Sequence, residues 1–246
     1  MTKEVENWWN DASQSFQEDA KHPTNDAVYG PWVPNESKLK LLGNIKGKKI
    51  LEIGCGGAQC SVYFAKKGAK CTGIDISKKQ LKFAKQLIDK EKIKVKLIKG
   101  DIQTLSKIKS NNYDIVFTAY ALQYVPDLTK CFKQVNRVLK KGGIFVFSFD
   151  HPFWRIIDGK TLKFRGSYHK TGKFSRIEYW HDAKQHKFVM YLRKLSDIYN
   201  SLEEAKFHVE KILEPVDLNK KEPLSKLFPK KLVKLIPTAV IFKSKK

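Results

Sequence analysis

The 246-residue chain has few cysteines, little arginine and no long apolar run. Nowhere do about 18 apolar residues follow one another, so no helical membrane span is expected. The opening stretch MTKEVENWWNDASQSF has no basic start followed by an apolar block, so it does not read as a signal peptide. The four cysteines, Cys55, Cys60, Cys71 and Cys131, form no C-x-x-C pair, and no histidine stands at ligand spacing from them. That argues against a structural zinc site, and no metal is expected. Free thiols fit a reducing, cytoplasmic location. Internal repeats and low-complexity linkers are also missing.

What is present is a globular composition, 41% hydrophobic and 12% aromatic, with a formal net charge of +23. Such a charge suits either a nucleic-acid partner or a solvated, lysine-rich surface. Only five of the 48 basic residues are arginine, and the lysines are spread along the whole chain. Phosphate readers favour the bidentate guanidinium fork, so nucleic acid is an open partner but not the favoured one. One asymmetry stands out: Arg155, Arg165, Arg176 and Arg193, four of the five arginines, fall between 155 and 193.

The first forty residues read as a helix, a proline-punctuated loop (HPTNDAVYGPWVPNES) and a short helix. Strand-like runs follow at 49–53, 70–75, 94–100, 113–119 and 143–149. Helical stretches over 59–67, 78–90, 102–108 and 128–139 alternate with them. That rhythm predicts a parallel sheet with helices on both faces. Residues 150–193 break it with aromatics, basic residues and turn glycines; KFSRIEYW and KFVMYLRK look antiparallel. A helix over 195–207 and strands at 208–215 and 238–244 complete the pattern. The expected organisation is a single domain, 1–246. It divides into an N-terminal helical cap (1–45), a cofactor-binding half (46–149), a substrate-side insert (150–193) and a C-terminal helix with strands (194–246).

The segment LEIGCGGAQ places Gly54 and Gly56 between a strand and a helix, where the backbone bends sharply and admits a ligand closely. A dinucleotide fingerprint needs a small residue at 59, and Gln59 stands there. A phosphate loop, G-x-x-x-x-G-K-[ST], is absent too. Asp75 lies 21 residues past Gly54, about one helix and one strand on, and Asp101 one further unit on. An ionised carboxylate accepts from both hydroxyls of a ribose. Either acid would also serve as a helix N-cap, before ISKKQL or IQTL.

With these motifs the chain resembles the class I S-adenosylmethionine-dependent methyltransferases of the LEIGCG type, over roughly residues 40–245. The resemblance implies a Rossmann-like, doubly wound α/β fold. Its seven-stranded sheet is mostly parallel with the last strand antiparallel, under an N-terminal helical lid and with a β-rich insert after strand 5. It implies S-adenosyl-L-methionine as cofactor and S-adenosyl-L-homocysteine as product. Glu52, Gly54, Cys55, Gly56 and Gln59 would form the turn under the methionine part. Asp75 would hold the ribose, with Ile76 beside it. Asp101 would take the adenine amine, with Ile102 against the ring. Ala119 and Tyr120 would line the cofactor. Tyr29 and the Trp8–Trp9 pair would belong to the lid. Ala58 departs from the family, which often has a third glycine there.

A sulfonium methyl is already activated, so the protein needs chiefly to align a nucleophile and exclude water. His151, leaving the fifth strand, is the candidate base, ahead of His169 and His181. Trp154, Tyr168, Tyr179 and Trp180 either wall the acceptor pocket or form the insert's own core. Transfer to an oxygen or nitrogen of a small-molecule acceptor is the first reading. RNA methylation, with Arg155, Arg165 and Arg176 gripping phosphates, and non-catalytic binding of the cofactor are the alternatives.

Overall fold

The structure is a computed structural model that describes residues 1–179, 185–220 and 228–246; the side chain of Tyr179 also lies outside the description. Chain order is α1 (Lys3–Ala20), α2 (Glu36–Leu39), β1 (Lys49–Ile53), α3 (Gln59–Lys66), β2 (Lys70–Asp75), α4 (Lys78–Glu91), β3 (Val95–Lys99) and β4 (Tyr113–Ala119). Then come a 3-10 turn (Leu122–Tyr124), α5 (Leu128–Val138), β5 (Leu139–Asp150), a second 3-10 turn (Pro152–Ile156), β6 (Gly172–Tyr179) and β7 (Gln185–Leu192). Helix α6 (Leu195–Glu204), β8 (His208–Leu213), α7 (Lys230–Val233) and β9 (Ala239–Lys245) complete the series.

Seven strands form one sheet in the order β3-β2-β1-β4-β5-β9-β8. The pairings β1–β2, β1–β4, β2–β3 and β4–β5 are parallel, whereas β9 is antiparallel to both β5 and β8. The sheet is therefore Rossmann-like and doubly wound, with one reversed strand. Central strands such as DIVFTA and IFVFSF are apolar on both faces because helices cover both. Leu51, Val116, Phe145 and Phe147 face one layer, and Ile50, Ile115, Phe117 and Val146 the other.

The helices follow from spacing and caps. Helix α5 puts Leu128, Cys131, Phe132, Val135 and Val138 on one buried stripe, the i, i+3, i+4, i+7 pattern of a core-facing helix. Its N-cap Asp127 accepts the Lys130 N–H at 2.9 Å. Helix α1 begins at Thr2, whose Oγ1 accepts from Val5, and ends at Lys21 in the left-handed region. The helix expected over 102–108 does not form. Those residues make successive turns, and Leu105 at φ +43° cannot continue a right-handed helix.

Strands β6 and β7 pair only with each other, antiparallel from Gly172↔Leu192 to Tyr179↔Gln185. This hairpin does not join the main sheet. It packs on α1, where Val5, Trp8 and Ala12 meet Phe188, Val189 and Met190 beside Tyr124. All four cysteines are free and buried. No helix among the described residues is long and apolar enough to cross a membrane.

Candidate active site

At the carboxyl end of β1 the chain turns through Gly54 (φ +66°) and Gly56 (φ +50°). A Cβ at Gly54 would lie 2.4 Å from the Cβ of Ala121, so the turn admits no side chain there. Ala58 caps α3 in the same left-handed region, at φ +61°, where it carries the strain a glycine would avoid. Beneath the turn Glu52 is buried. Its Oε2 accepts both the backbone N–H (2.8 Å) and the hydroxyl (2.5 Å) of Ser61. Burial pushes the Glu52 carboxyl up to about 7, against the pull of those two hydrogen bonds.

Asp75 ends β2 and ties the turn to the next strand. One carboxylate oxygen accepts the Gly56 N–H at 2.8 Å and the other the Ser77 N–H at 2.8 Å. Burial raises its pKa, and these backbone donors oppose the rise. The N-cap of α4 is Ser77, whose Oγ accepts from Gln80 at 3.1 Å. Asp75 is therefore not a helix cap. Asp101, just past β3, accepts the Gln103 N–H at 2.8 Å and pairs with the Met1 amino group, and no helix follows it. Both acids stand at neighbouring strand ends on one rim, as a cap function would not require. Half-buried Ile76 follows Asp75, and Ile102 lies in the core behind Gly54.

Helix α1 lies over this rim. The Gln59 amide donates to Gln17 at 2.6 Å, and the Gln17 amide donates onward to Gln80 at 2.7 Å. A Cβ at Gly57 would sit 2.7 Å from the Gln17 and Gln59 amides, so the lid seats directly on the glycine turn. Asn10 accepts from Ser77 at 2.9 Å, and Glu6 pairs with Lys99 at 2.9 Å. Trp9 meets Tyr124 edge-on and Trp8 meets Phe188, which joins the lid to the hairpin.

Beside the rim a cavity of about 300 Å³ opens between the end of β5, the 3-10 turn after β4 and the hairpin. Gln123, Asp150, Tyr168 and Arg193 are among its walls, with Phe149, Ile156, Phe174, Met190 and Ile198 supplying apolar surface. Asp150 is buried and accepts from the Arg155 guanidinium at 2.5 Å. The Tyr168 hydroxyl accepts the Leu195 N–H at 3.0 Å, and its ring stacks on Phe153.

Several expected positions lie elsewhere. Tyr29 does not face the rim: its ring is buried against Phe64 and Phe117, and its hydroxyl donates to Glu36 at 2.6 Å. Tyr120 leaves β4 with φ +56°, lays its ring against Gly30 and donates to the Thr238 carbonyl at 2.9 Å. Ala121, the next residue, is the one that meets the turn at Gly54. His151 is no free base. Its Nδ1 accepts the Phe153 N–H at 3.3 Å as the cap of a 3-10 turn, and its Nε2 meets Glu214 at 2.7 Å. It is not among the cavity walls, although its neighbours Asp150 and Pro152 are. Trp154 packs with Trp32, Phe228, Leu232 and Val233 in a separate apolar cluster. His169 is exposed. The Tyr179 side chain, Trp180 and His181 lie outside the described residues. Gln123, Asp150 and Arg193 were not anticipated as site residues; the crowding of arginines over 155–193 was their signal.

The methyltransferase-domain family model matches residues 51–147, which hold the glycine turn, both rim acids and β4. Residues 51–147 are a methyltransferase domain. Over 199 residues the chain is 27% identical to an uncharacterized protein of Haemophilus influenzae, covering 75% of this chain and 76% of that one. It is 33% identical over 109 residues to a ubiquinone biosynthesis O-methyltransferase of Bordetella avium. That match spans 44% of this chain and 45% of the relative, less than half its length. In structure it resembles an S-adenosylmethionine-dependent methyltransferase from Mesorhizobium loti, with TM-score 0.66 and 22% identity, covering 85% of this chain and 96% of that one. That last likeness speaks to the fold alone.

The rim suits S-adenosyl-L-methionine. Two carboxylates match hydroxyl and amine donors, the glycine turn leaves room for close backbone approach, and the buried Gln80 Nε2 has no hydrogen-bond partner among the described residues. A ligand amine at Asp101 would displace the Met1 amino group that pairs with it.

Proposed function

We propose that the protein transfers a methyl group from S-adenosyl-L-methionine to an oxygen or nitrogen of a small-molecule acceptor held in the cavity beside the rim. The carrying observation is that cavity: about 300 Å³, walled by the end of β5, the hairpin and Gln123 of the 3-10 turn that follows β4. A space of that size admits a metabolite and not a polynucleotide. The kinship to a ubiquinone biosynthesis O-methyltransferase supports a small acceptor as well.

Asp75 would hold the ribose and Asp101 the adenine amine, with the Gly54–Gly56 backbone under the methionine portion. Bound S-adenosyl-L-methionine supplies a methyl carbon activated by its sulfonium sulfur, and transfer leaves the thioether S-adenosyl-L-homocysteine. The chain's own work is alignment and exclusion of water. Helix α1 and the hairpin close the site on two sides, and the apolar walls keep the acceptor dry. Asp150, a buried carboxylate fixed by Arg155, receives the proton that leaves the acceptor oxygen or nitrogen.

Calorimetry with S-adenosyl-L-homocysteine, on wild type and Asp75→Ala, tests the cofactor half. Tight binding lost in the variant is expected; undiminished binding refutes the ribose assignment. Release of S-adenosyl-L-homocysteine from S-adenosyl-L-methionine, screened against metabolite pools, tests turnover. Release that no pool stimulates refutes transfer to a small molecule.

A further inference from the structure

All four arginines between 155 and 193 line the cavity rather than forming an outward basic face. Two are answered by carboxylates: Arg155 by Asp150, and Arg176 by Glu178. Arg193 and Arg165 form no ion pair among the described residues. Arg193 is half-buried, and its hydrogen bonds go to carbonyls, those of Tyr191 (3.1 Å), Pro126 (3.1 Å) and Val125. Arg165 reaches the Arg155 carbonyl at 3.4 Å, a marginal contact. Lys170 adds another cation to the same wall. Asp197 and Asp127 favour the Arg193 charge from a distance, and its guanidinium lies 5.6 Å from the centre of the Tyr191 ring, but no carboxylate meets it directly among the described residues. Burial draws Arg193 down to about 10 against the pull of those two acids, so a directly bound anion would be favoured there. The cavity carries a second unmet demand. Gln123 is 3% exposed, and its Oε1 accepts no hydrogen bond from any described residue.

We propose that the methyl acceptor is a small carboxylic acid with an apolar body. Its carboxylate lies between Arg193 and Arg165, and its nucleophilic O–H or N–H donates to Gln123 Oε1. The apolar remainder sits against Phe149, Phe174 and Met190. This rests on the methyl-transfer reading for the word acceptor, though not for the binding of the acid. A carboxylate suits the site better than a phosphate: the terminal nitrogens of Arg193 already donate to carbonyls, Arg165 is exposed, and a planar, singly charged group needs fewer donors than a tetrahedral dianion.

The test measures binding without turnover. Hydroxybenzoates and aminobenzoates, their benzamides and the matching phenyl phosphates are titrated into the full chain with S-adenosyl-L-homocysteine present, by calorimetry and thermal shift. At least one acid is expected to bind, with its amide weaker by tenfold or more. Arg193→Gln should weaken that acid about tenfold or more. Arg165→Gln, at an exposed position that tolerates substitution, should weaken it several-fold and serves if the Arg193 variant does not fold. Equal binding of acid and amide, preference for the phosphates, failure of every acid to bind at millimolar concentration, or unaltered binding by Arg165→Gln would each overturn the proposal. Acid binding by a protein that binds no S-adenosyl-L-homocysteine would leave the anion site standing and remove the methyl-transfer reading instead.

Discussion

Replacing Glu52 by glutamine tests how the glycine turn is held. The carboxyl is buried, and its pKa stands at about 7 against an ordinary 4.5. In the unfolded chain it ionises near 4.5, and in the folded chain not until about 7. Between those values the folded state keeps a proton that the unfolded state has released, so stability falls as pH rises. The window spans about two and a half pH units, and at about 1.36 kcal/mol per unit the loss is about 3 kcal/mol. Above pH 7 it is complete, and below pH 4.5 it vanishes. Glutamine does not titrate, and its Oε1 can accept from Ser61 as the carboxylate does. Urea unfolding of both proteins at several pH values isolates the effect, because other groups largely cancel in the difference. The variant should gain on wild type by about 3 kcal/mol between pH 4.5 and pH 7.5, whatever constant offset the substitution brings. A difference that stays flat across that window would refute the account of Glu52 as an acid strained by burial.

Two other substitutions probe neighbouring features. Gly54→Ala forces a side chain into the left-handed region and onto Ala121, 2.4 Å away; a loss of about 2 kcal/mol or more in denaturant unfolding is expected, with cofactor affinity reduced in calorimetry. His151→Ala removes a 3-10 cap and the Glu214 contact, so it should cost about 1 kcal/mol of stability while the turnover number stays within about threefold of wild type, which a steady-state assay would check once an acceptor is found. A collapse in turnover there would restore the imidazole to the chemistry.

Much of the framework was legible because its signals are local. Strands β1, β2 and β3 lie where short β-branched and apolar runs end in glycine or aspartate, and the spacing of Gly54, Asp75 and Asp101 places all three on one rim. What local reading misses is direction. Tyr29 follows a loop and enters the core because Glu36 is there to accept a hydrogen bond from its hydroxyl. His151 and Asp150 are adjacent in sequence, yet only Asp150 reaches the cavity, since His151 caps the following 3-10 turn and meets Glu214. The helix expected at 102–108 failed on a backbone angle at Leu105 that no composition announces. The arginines of the insert were visible as a cluster, and nothing in their order told whether they face outward to a polyanion or inward to a small one. Only the fold of the hairpin onto α1 decides that.

Strand β9 lies between β5 and β8, both of which precede it in the chain. On a ribosome, therefore, the earlier strands emerge with a gap in the middle of the future sheet. Until residues 239–245 arrive, β5 has an unpaired flank, and Phe147 lacks the Phe242 ring that stacks on it at 5.1 Å. The nascent protein passes through a stage with a sticky, half-zipped edge, vulnerable to pairing with another chain. Closure is the final act of synthesis for this sheet, and a chain lacking that strand would be left permanently ajar.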